Sequence, residues 1–473
     1  MNGDANKRAG RKEINLGEGN VGKLLFRLAL PAITAQVINL LYNLVDRMYI
    51  GHLPGIGAAA LTGVGVMLPV ILAISAFSYL FSSGGAARAS IMMGKQKNEE
   101  AERIMGNCAA ALILAALVLT AFFQIFGRDI LMIFGASDNT IGYAWDYMQI
   151  YSLGTIFVQI ALGLNNFINA QGYATMGMIS VIIGAGTNIV LDPILMFGFD
   201  MGVRGAALAT IISQALSAVW IMVFLCSRRS FLKLRLRNLR ISGKILAPCI
   251  ALGASPFVMQ FTESILNICF NVSLRTYGGD IAVGVMAVLS SVMQFALLPI
   301  IGMTQGSQPI VSYNYGAGKL DRVKLAFRKL LKASVIYAVA LWALALLFPQ
   351  LFMGMFTTDA EYIAMGTWAM RVYLAAVCVM GVQYACQQTF VALGNARTSL
   401  LLALLRKVFL LIPLIFILPR LITGSQVFAV FLAEPIADVA AASTTSFLFF
   451  RYMKKMLGKG TKEKKHETKS RIS

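Results

Sequence analysis

Asn188 and Asp192 lie in an apolar stretch, GTNIVLDPILMFGFD (186–200), where a carboxylate is costly. An aspartate at the centre of a bilayer costs about 2.5–3.5 kcal/mol on insertion scales, so such residues normally face a bundle interior or water. Asn188 precedes Asp192 by four residues, which places both on one face of a helix. The pair could coordinate a cation or carry a proton.

Two other segments of the first half add polar groups of the same kind. Tyr42 lies one turn before Asp46 in LYNLVDRMYIG, and Thr210 lies in VRGAALAT. If these groups converge with Asn188 and Asp192, they form an oxygen-rich cage that could bind Na⁺. The cage could equally hold a proton, because two carboxylates crowded in a low-dielectric site do not both stay ionised. The alternative is that both aspartates cap helix ends at the outer interface, as Arg47 beside Asp46 would allow.

The elements that must position these groups are membrane-spanning helices. The 473-residue chain is 58% hydrophobic and 13% charged, far from a soluble composition. Apolar runs of about 20 residues recur along it. They predict twelve spans, near 24–44, 57–80, 103–126, 141–163, 174–191, 203–226, 244–270, 283–303, 325–348, 361–384, 398–418 and 427–450.

The basic residues sort to one side of these spans. With both termini on one side, that side collects the connections Arg88–Arg103, Arg228–Lys244, Lys319–Lys332 and Arg397–Lys407 and both tails. By the positive-inside rule this side is the cytoplasm, with anionic membrane lipids as contacts. Of the 41 lysines and arginines, Arg371 is assigned to a span, and the outer side holds only Arg47, Arg128, Arg204, Arg275 and Arg420.

An internal repeat divides the chain into halves. Residues 133–154 parallel 355–376, 169–176 parallel 391–398, and 94–99 parallel 316–321, all at one offset. Six spans per half give parallel repeats about an axis along the membrane normal, with a cleft between two bundles. The predicted organisation is a cytoplasmic tail (1–23), an N-lobe (24–226), a basic linker (227–243), a C-lobe (244–450) and a basic cytoplasmic tail (451–473).

Several function classes are disfavoured. The net charge of +20 follows membrane topology, which argues against nucleic acid as a partner. No GxxxxGK[ST] loop is present, so an ion gradient must supply energy. Two histidines, His52 and His466, and six cysteines without a CxxC pair leave no metal site beyond a possible Na⁺ at Asp46 and Asp192. We expect no enzyme activity and no cofactor.

Candidate substrate contacts lie in the second half. Soft side chains such as methionine suit a promiscuous site, and Glu263 could attract a positive charge. The alternative is that methionines at helical spacing are packing or lipid-facing surface. The candidates are Met259, Gln260 and Glu263 in span seven and Met286, Met293 and Gln294 in span eight. Glu434 and Asp438, one turn apart, are read as a water-accessible face near the outer end of span twelve.

The chain resembles the multidrug and toxic compound extrusion (MATE) transporters, most closely their bacterial MepA-like branch. The resemblance covers about residues 20 to 452. It rests on LYNLVDRMYIG with the preceding Pro31, NIVLDPILMFG, GVRGAALAT, and the paired loops ending in AQG and ALG.

The resemblance implies an all-α, twelve-helix antiporter of the bacterial inner membrane. It would expel cationic lipophilic drugs or dyes in exchange for H⁺ or Na⁺. The N-lobe ion site of prokaryotic members falls on Tyr42, Asp46, Asn188, Asp192 and Thr210. Glu263 matches a C-lobe acid of some members, whereas helix ten, CVMGVQYACQQTF, has no carboxylate. Acidic coupling is therefore expected mainly in the first half.

Two other functions stay open. A lipid-linked oligosaccharide flippase of the same superfamily should carry more basic residues inside its cavity, to hold pyrophosphate, and the sequence assigns only Arg371 clearly to a span. A non-transporting channel or receptor-like protein would use Asp46 and Asp192 structurally.

Overall fold

The computed structural model describes residues 15–356, 359–422 and 424–470, with the side chains of residues 58 and 457–470 excepted. Residues 1–14 of the predicted N-terminal tail and 471–473 of the C-terminal tail lie outside these ranges. The α-helices are α1 (Val21–Gly51), α2 (Gly57–Val66), α3 (Leu68–Gly94), α4 (Asn98–Ile133), α5 (Ile141–Leu153), α6 (Thr155–Ala170), α7 (Ala174–Pro193), α8 (Gly202–Cys226), α9 (Gly243–Gly316), α10 (Leu320–Leu347), α11 (Pro349–Gly354), α12 (Ala360–Tyr373), α13 (Val377–Ala392), α14 (Ala396–Leu404), α15 (Ile412–Leu421) and α16 (Gln426–Ser470).

The described helices provide twelve membrane crossings, as the sequence predicts. Nine helical segments are long and apolar enough to cross a membrane. One of them, α9, has 74 residues and turns back at Gly279, whose φ of 65° only glycine adopts readily, so it makes two crossings. The bent pairs α5–α6 (58°) and α12–α13 (45°) supply one crossing each.

The repeat seen in the sequence is also present in the backbone. Ser90 Oγ donates to the Ala170 carbonyl at 2.9 Å, and Ser312 Oγ donates to the Ala392 carbonyl at 2.8 Å. Both residues of the second bond lie 222 positions after their counterparts in the first. Gly172 and Gly394 share this offset and both have positive φ, 88° and 79°. The two halves therefore fold alike.

Each half has apolar cores of its own. Met67, Ile74 and Met148 belong to a core built only from the first half. Phe270 and Phe431 belong to one built only from the second half. The chain thus forms two six-helix bundles.

The two bundles touch on the side of the basic connections, which we call the basic side (residues 95–97, 227–242 and 317–319). A Cβ at Gly94 would overlap the Tyr313 carbonyl, and one at Gly316 would overlap the Ile91 carbonyl. Further from this side, the contacts between bundles end with the Phe77 and Phe257 rings, whose centroids are 5.3 Å apart, and with a 3.0 Å hydrogen bond from Gln36 to Gln305.

Among the described residues of α1, α3 and α9, these are the outermost hydrogen bond and ring contact between the bundles. Further from the basic side on α1, Leu41, Leu44 and Met48 are exposed. We infer from this a cleft between the bundles that opens away from the basic side.

A short segment before α1 (residues 15–20) crosses the basic side and binds the second half. Asn314 Nδ2 donates to the Leu16 carbonyl at 2.8 Å, and Lys319 Nζ donates to the Gly17 carbonyl at 2.9 Å. Arg322 donates to the carbonyls of Glu18 and Gly19, both at 2.9 Å. Since α1 packs on α7 of the first half, this N-terminal segment ties the bundles together.

Candidate functional site

The polar residues singled out in the first half lie together inside that bundle. Asp46 comes from α1, Asn188 and Asp192 from α7, and Thr210 from α8. Asp192 is fully buried, and Asp46 is 8% exposed. We call this group the Asp46–Asp192 cluster.

Hydrogen bonds connect the members of the cluster. Asn188 Nδ2 donates to Asp192 Oδ1 at 3.1 Å and to Thr210 Oγ1 at 3.4 Å. The Asp46 and Asp192 carboxyl groups are close enough for their charges to interact. Two carboxylates offer only acceptors, so a proton or a cation is needed to join them.

Three buried oxygens of the cluster have no hydrogen-bond partner among the described residues: Asp46 Oδ1, Asn188 Oδ1 and Asp192 Oδ2. Buried polar atoms without a partner are rare in proteins, since each costs about 1–3 kcal/mol of desolvation. Oxygen atoms in this arrangement suit a proton or a small cation such as Na⁺. The described residues hold no group of three or more His, Cys, Asp or Glu side chains of the kind that binds transition metals.

The local backbone explains why Asp192 is buried and does not cap a helix at the rim. Pro193 removes a backbone donor, and after it the helix continues as a π-helical turn, Ile194–Gly198. Helix α8 can approach this turn closely because Gly205 has no side chain, and a Cβ there would lie 2.8 Å from the Leu195 carbonyl carbon. The helix-end alternative for Asp192 is thus disfavoured.

Two tyrosines complete the surroundings. Tyr42, on α1, is half-buried and lies close enough to Asp46 and Asp192 for their charges to act on it. Tyr147, on α5, was not anticipated from the sequence, and its hydroxyl lies near Thr210. The Tyr147 ring stacks on Tyr151 with centroids 5.9 Å apart. The available signal was the i, i+4 spacing of these tyrosines in WDYMQIYSL.

A second cluster of charges lies in the second half, and the predicted position of its two basic residues is wrong. Arg406 and Lys407 were assigned to a cytoplasmic connection, but they lie mid-span in a π-helical segment, Leu405–Leu411, and are 5% and 4% exposed. Arg406 binds Asp438 at 2.7 Å and Glu434 at 3.0 Å, both on α16. Lys407 pairs with Glu263 of α9. Each buried charge has a partner, which offsets part of its desolvation cost.

This cluster corrects a further expectation. Glu434 and Asp438 do not form a water-accessible face, because both are buried around Arg406. Arg371 lies in α12, which forms a crossing together with α13, and it is exposed and donates to the Leu346 carbonyl in the last turn of α10. Intramembrane acids are consequently not concentrated in the first half.

The candidate substrate residues divide into two groups. Met259, Gln260 and Glu263 lie within about one turn on the first arm of α9 (243–278), and Glu263 is half exposed. Met286 and Met293 are buried in the apolar core of the second half, which favours a packing role for them. Gln294 is exposed on the second arm of α9 (280–316). The structure therefore does not bring all six residues to one place.

Comparison with known proteins agrees with this architecture. The MatE family model matches residues 31–194 and again residues 256–417, once in each half. The chain belongs to the MATE family. Its relatives include the multidrug export protein MepA of Staphylococcus aureus (strain NCTC 8325 / PS 47), 26% identical, with 89% of this chain and 92% of that protein covered. MepA of Staphylococcus haemolyticus is 24% identical, with 90% and 93% covered.

Solved MATE structures share the fold. The MATE multidrug transporter DinF-BH, determined in complex with a ligand, is 33% identical and superposes with a TM-score of 0.86, covering 93% of this chain and 98% of that one. The all-helical membrane architecture predicted from the sequence is thereby confirmed for this MATE protein.

Proposed function

We propose that the protein is a secondary active multidrug efflux transporter that exports cationic lipophilic compounds by H⁺ or Na⁺ antiport. The observation that carries this proposal is the Asp46–Asp192 cluster, which has two acidic side chains from different helices buried together with unpartnered oxygens. The MepA relatives, named as multidrug export proteins, support the substrate class. Ionisable groups inside a membrane bundle mark ion pathways more often than structural sites.

The proposed mechanism is alternating access of an N-lobe (24–226) and a C-lobe (244–450). The described arrangement, closed on the basic side and open on the other, would be the state that releases drug. A cation or proton arriving from the open side binds the Asp46–Asp192 cluster and stabilises this state. Its loss towards the basic side restores the opposite arrangement, which binds drug again. Each step needs only a difference in affinity between the two arrangements.

We place the protein in the bacterial inner membrane with both termini in the cytoplasm, because the basic connections lie on one side. The proposed partners are cationic drugs or dyes, the coupling ion and membrane lipids. The Asp46 and Asp192 carboxyl groups are crowded in a low-dielectric site, so either a proton or a Na⁺ ion between them would relieve their repulsion.

A shortage of basic residues inside the membrane no longer argues against the flippase alternative, because Arg406 and Lys407 lie there. Both are almost fully buried and each is bound to carboxylates. They therefore offer little free positive charge to a pyrophosphate in the cleft. A purely structural role for Asp46 and Asp192 is opposed by their unpartnered oxygens, since a structural carboxylate is normally fully hydrogen-bonded.

The test is ethidium efflux from reconstituted vesicles under separately imposed pH and Na⁺ gradients. We expect one gradient to drive efflux by the native protein. Asp192→Asn should abolish gradient-driven efflux while preserving insertion and folding. Asp146→Asn is the matched control: it removes an aspartate of the same bundle that binds the exposed Arg204 at 2.8 Å, and it should transport normally. Full efflux by the Asp192→Asn protein would refute the coupling role.

A further inference from the structure

The ion pair between Glu263 and Lys407 lies at the base of the cleft. The bundles last touch there at Phe77 and Phe257, and Glu263 follows Phe257 by six residues along α9, which is about 9 Å of helix towards the open side. The exposed Phe261 of α9 shows that this contact has ended within one turn. Glu263 therefore lies just above the closed part of the cleft.

A polar stripe marks the face of α9 that carries Glu263. Gln260, Glu263, Ser264 and Asn267 follow the i, i+3, i+4, i+7 spacing of one helical face. Glu263 and Asn267 are exposed, as is Asn271 one turn further along the same helix. A stripe of this kind inside a membrane protein normally lines a bundle interior or a water-filled space, so we assign it to the wall of the cleft.

The two partners of the ion pair differ sharply in exposure. The Glu263 side chain is 49% accessible, whereas that of Lys407 is 5% accessible. Lys407 binds the Oε2 atom of Glu263 and also donates to the Met259 carbonyl at 2.9 Å. The structure records no hydrogen bond to Glu263 Oε1 among the described residues. The Glu263 carboxylate therefore faces the cleft, and the Lys407 ammonium binds it on the side away from the cleft.

Among the described residues, Lys407 is the only cation that forms an ion pair with Glu263. Its neighbour Arg406 points to α16, where it binds Glu434 and Asp438. Arg406 forms its ion pairs with Glu434 and Asp438 and, within the described part of the chain, forms none with Glu263. Adjacent residues of a helix point about 100° apart, so Arg406 reaches α16 while Lys407 reaches α9.

We propose that Lys407 is a specificity-determining residue of the transporter, because its ammonium group competes with the positive charge of a substrate for the Glu263 carboxylate. A lipophilic monocation in the cleft must share or displace an ammonium that is already in place. Lys407 thereby weakens the binding of monocations to the C-lobe and eases their release. This inference rests on the proposed function, since it concerns how that function treats a cationic substrate.

The experiment measures ethidium binding by fluorescence polarisation with purified full-length protein, at pH 7 and at pH 8.5, without an ion gradient. Lys407→Gln should bind ethidium about tenfold more tightly than the native protein. Lys407→Arg keeps the charge and should bind like the native protein. Lys97→Gln, which breaks the exposed pair with Glu100, is the control for removal of a lysine elsewhere. Size-exclusion profiles establish that each variant is folded.

A double variant shows whether the effect passes through Glu263. Glu263→Gln should weaken binding, and adding Lys407→Gln to it should cause no tightening. Unchanged or weaker ethidium binding by folded Lys407→Gln at both pH values would overturn the proposal, as would tightening that persists in the double variant. Binding without efflux under any gradient would contradict the proposed transport but leave the inference standing. If neither the native protein nor Lys407→Gln binds ethidium, both are wrong.

Discussion

In the proposed mechanism, a few side chains of the Asp46–Asp192 cluster carry the coupling chemistry. Asn188 uses its amide donors on Asp192 and Thr210 and leaves its own oxygen without a partner among the described residues. Such an arrangement costs stability unless a proton or cation completes it. The residues nearest to the unpartnered oxygens are therefore the ones whose substitution should change ion binding first.

Tyr147→Phe tests one of these neighbours. The change removes a hydroxyl that lies near Thr210 but keeps the ring that stacks on Tyr151. A hydroxyl that can hydrogen-bond within the ion site is worth about 0.5–1.5 kcal/mol, so the ion concentration for half-maximal efflux should rise about two- to tenfold with little change in folding. Vesicle efflux titrated against the driving ion measures this. An unchanged titration would show that Tyr147 acts only through packing.

The sequence predicted the Asp46–Asp192 cluster but not the cluster around Arg406 and Lys407. Asp192 lies in an apolar run without a charged neighbour, and Asp46 has only Arg47 beside it, which signals buried acids. Arg406 and Lys407 lie near the start of an apolar run, so the sequence assigns them to the preceding basic connection. Their partners Glu263, Glu434 and Asp438 come from two distant helices. Only the tertiary fold shows that these acids form ion pairs with Arg406 and Lys407.

Helices as whole elements determine how the bundles meet. The apolar runs predicted the start of each crossing well, because the lengths of spans are set by the bilayer. The bends between α5 and α6 and between α12 and α13 were not predicted. Both bends occur at equivalent positions in the two halves. Neither position has a proline, so the sequence shows no sign of a bend there. On the basic side, α3 and α9 approach closely because small residues face each other.

Gly316→Ala should disturb this approach. A Cβ at Gly316 would overlap the Ile91 carbonyl of the other bundle, so the variant should shift the protein away from the arrangement closed on the basic side. Spin labels at Lys95 and Arg328 in a cysteine-free background would report a longer distance. Gly186→Ala, in α7 where a Cβ meets nothing within 4 Å, is the control. Identical distance distributions for Gly316→Ala and the native protein would contradict the prediction.

The whole molecule is two similar bundles joined on one side. The repeat predicted this symmetry, and the matched hydrogen bonds of Ser90 and Ser312 confirm its structural basis. The sequence could not predict which side is closed, because that depends on the free energies of two packings of the same helices. The N-terminal segment adds a contact that lies outside the repeat.

Arg322→Ala tests the contribution of this segment to closure. Arg322 donates to two carbonyls of the segment, and their loss should favour opening on the basic side. Hydrogen exchange of residues 15–24 should become faster, and the distance between labels at Lys95 and Arg328 should lengthen. Lys332→Ala, which removes an exposed charge from the same helix, is the control. Unchanged exchange in Arg322→Ala would show that the other contacts of the segment are enough to hold it.

The hydrogen bonds to the main chain of residues 16–19 have a consequence for sequence conservation. Lys319 and Arg322 hold main-chain oxygens, and these oxygens are the same whatever side chains the segment carries. The exposed residue at position 18 can therefore vary freely. Position 17 should stay glycine because a Cβ there would lie 3.0 Å from the Tyr313 ring, and position 19 because φ at Gly19 is positive. Insertions or deletions would move these carbonyls away from their donors. The number of residues between Leu16 and α1 should therefore be conserved more strongly than their identities.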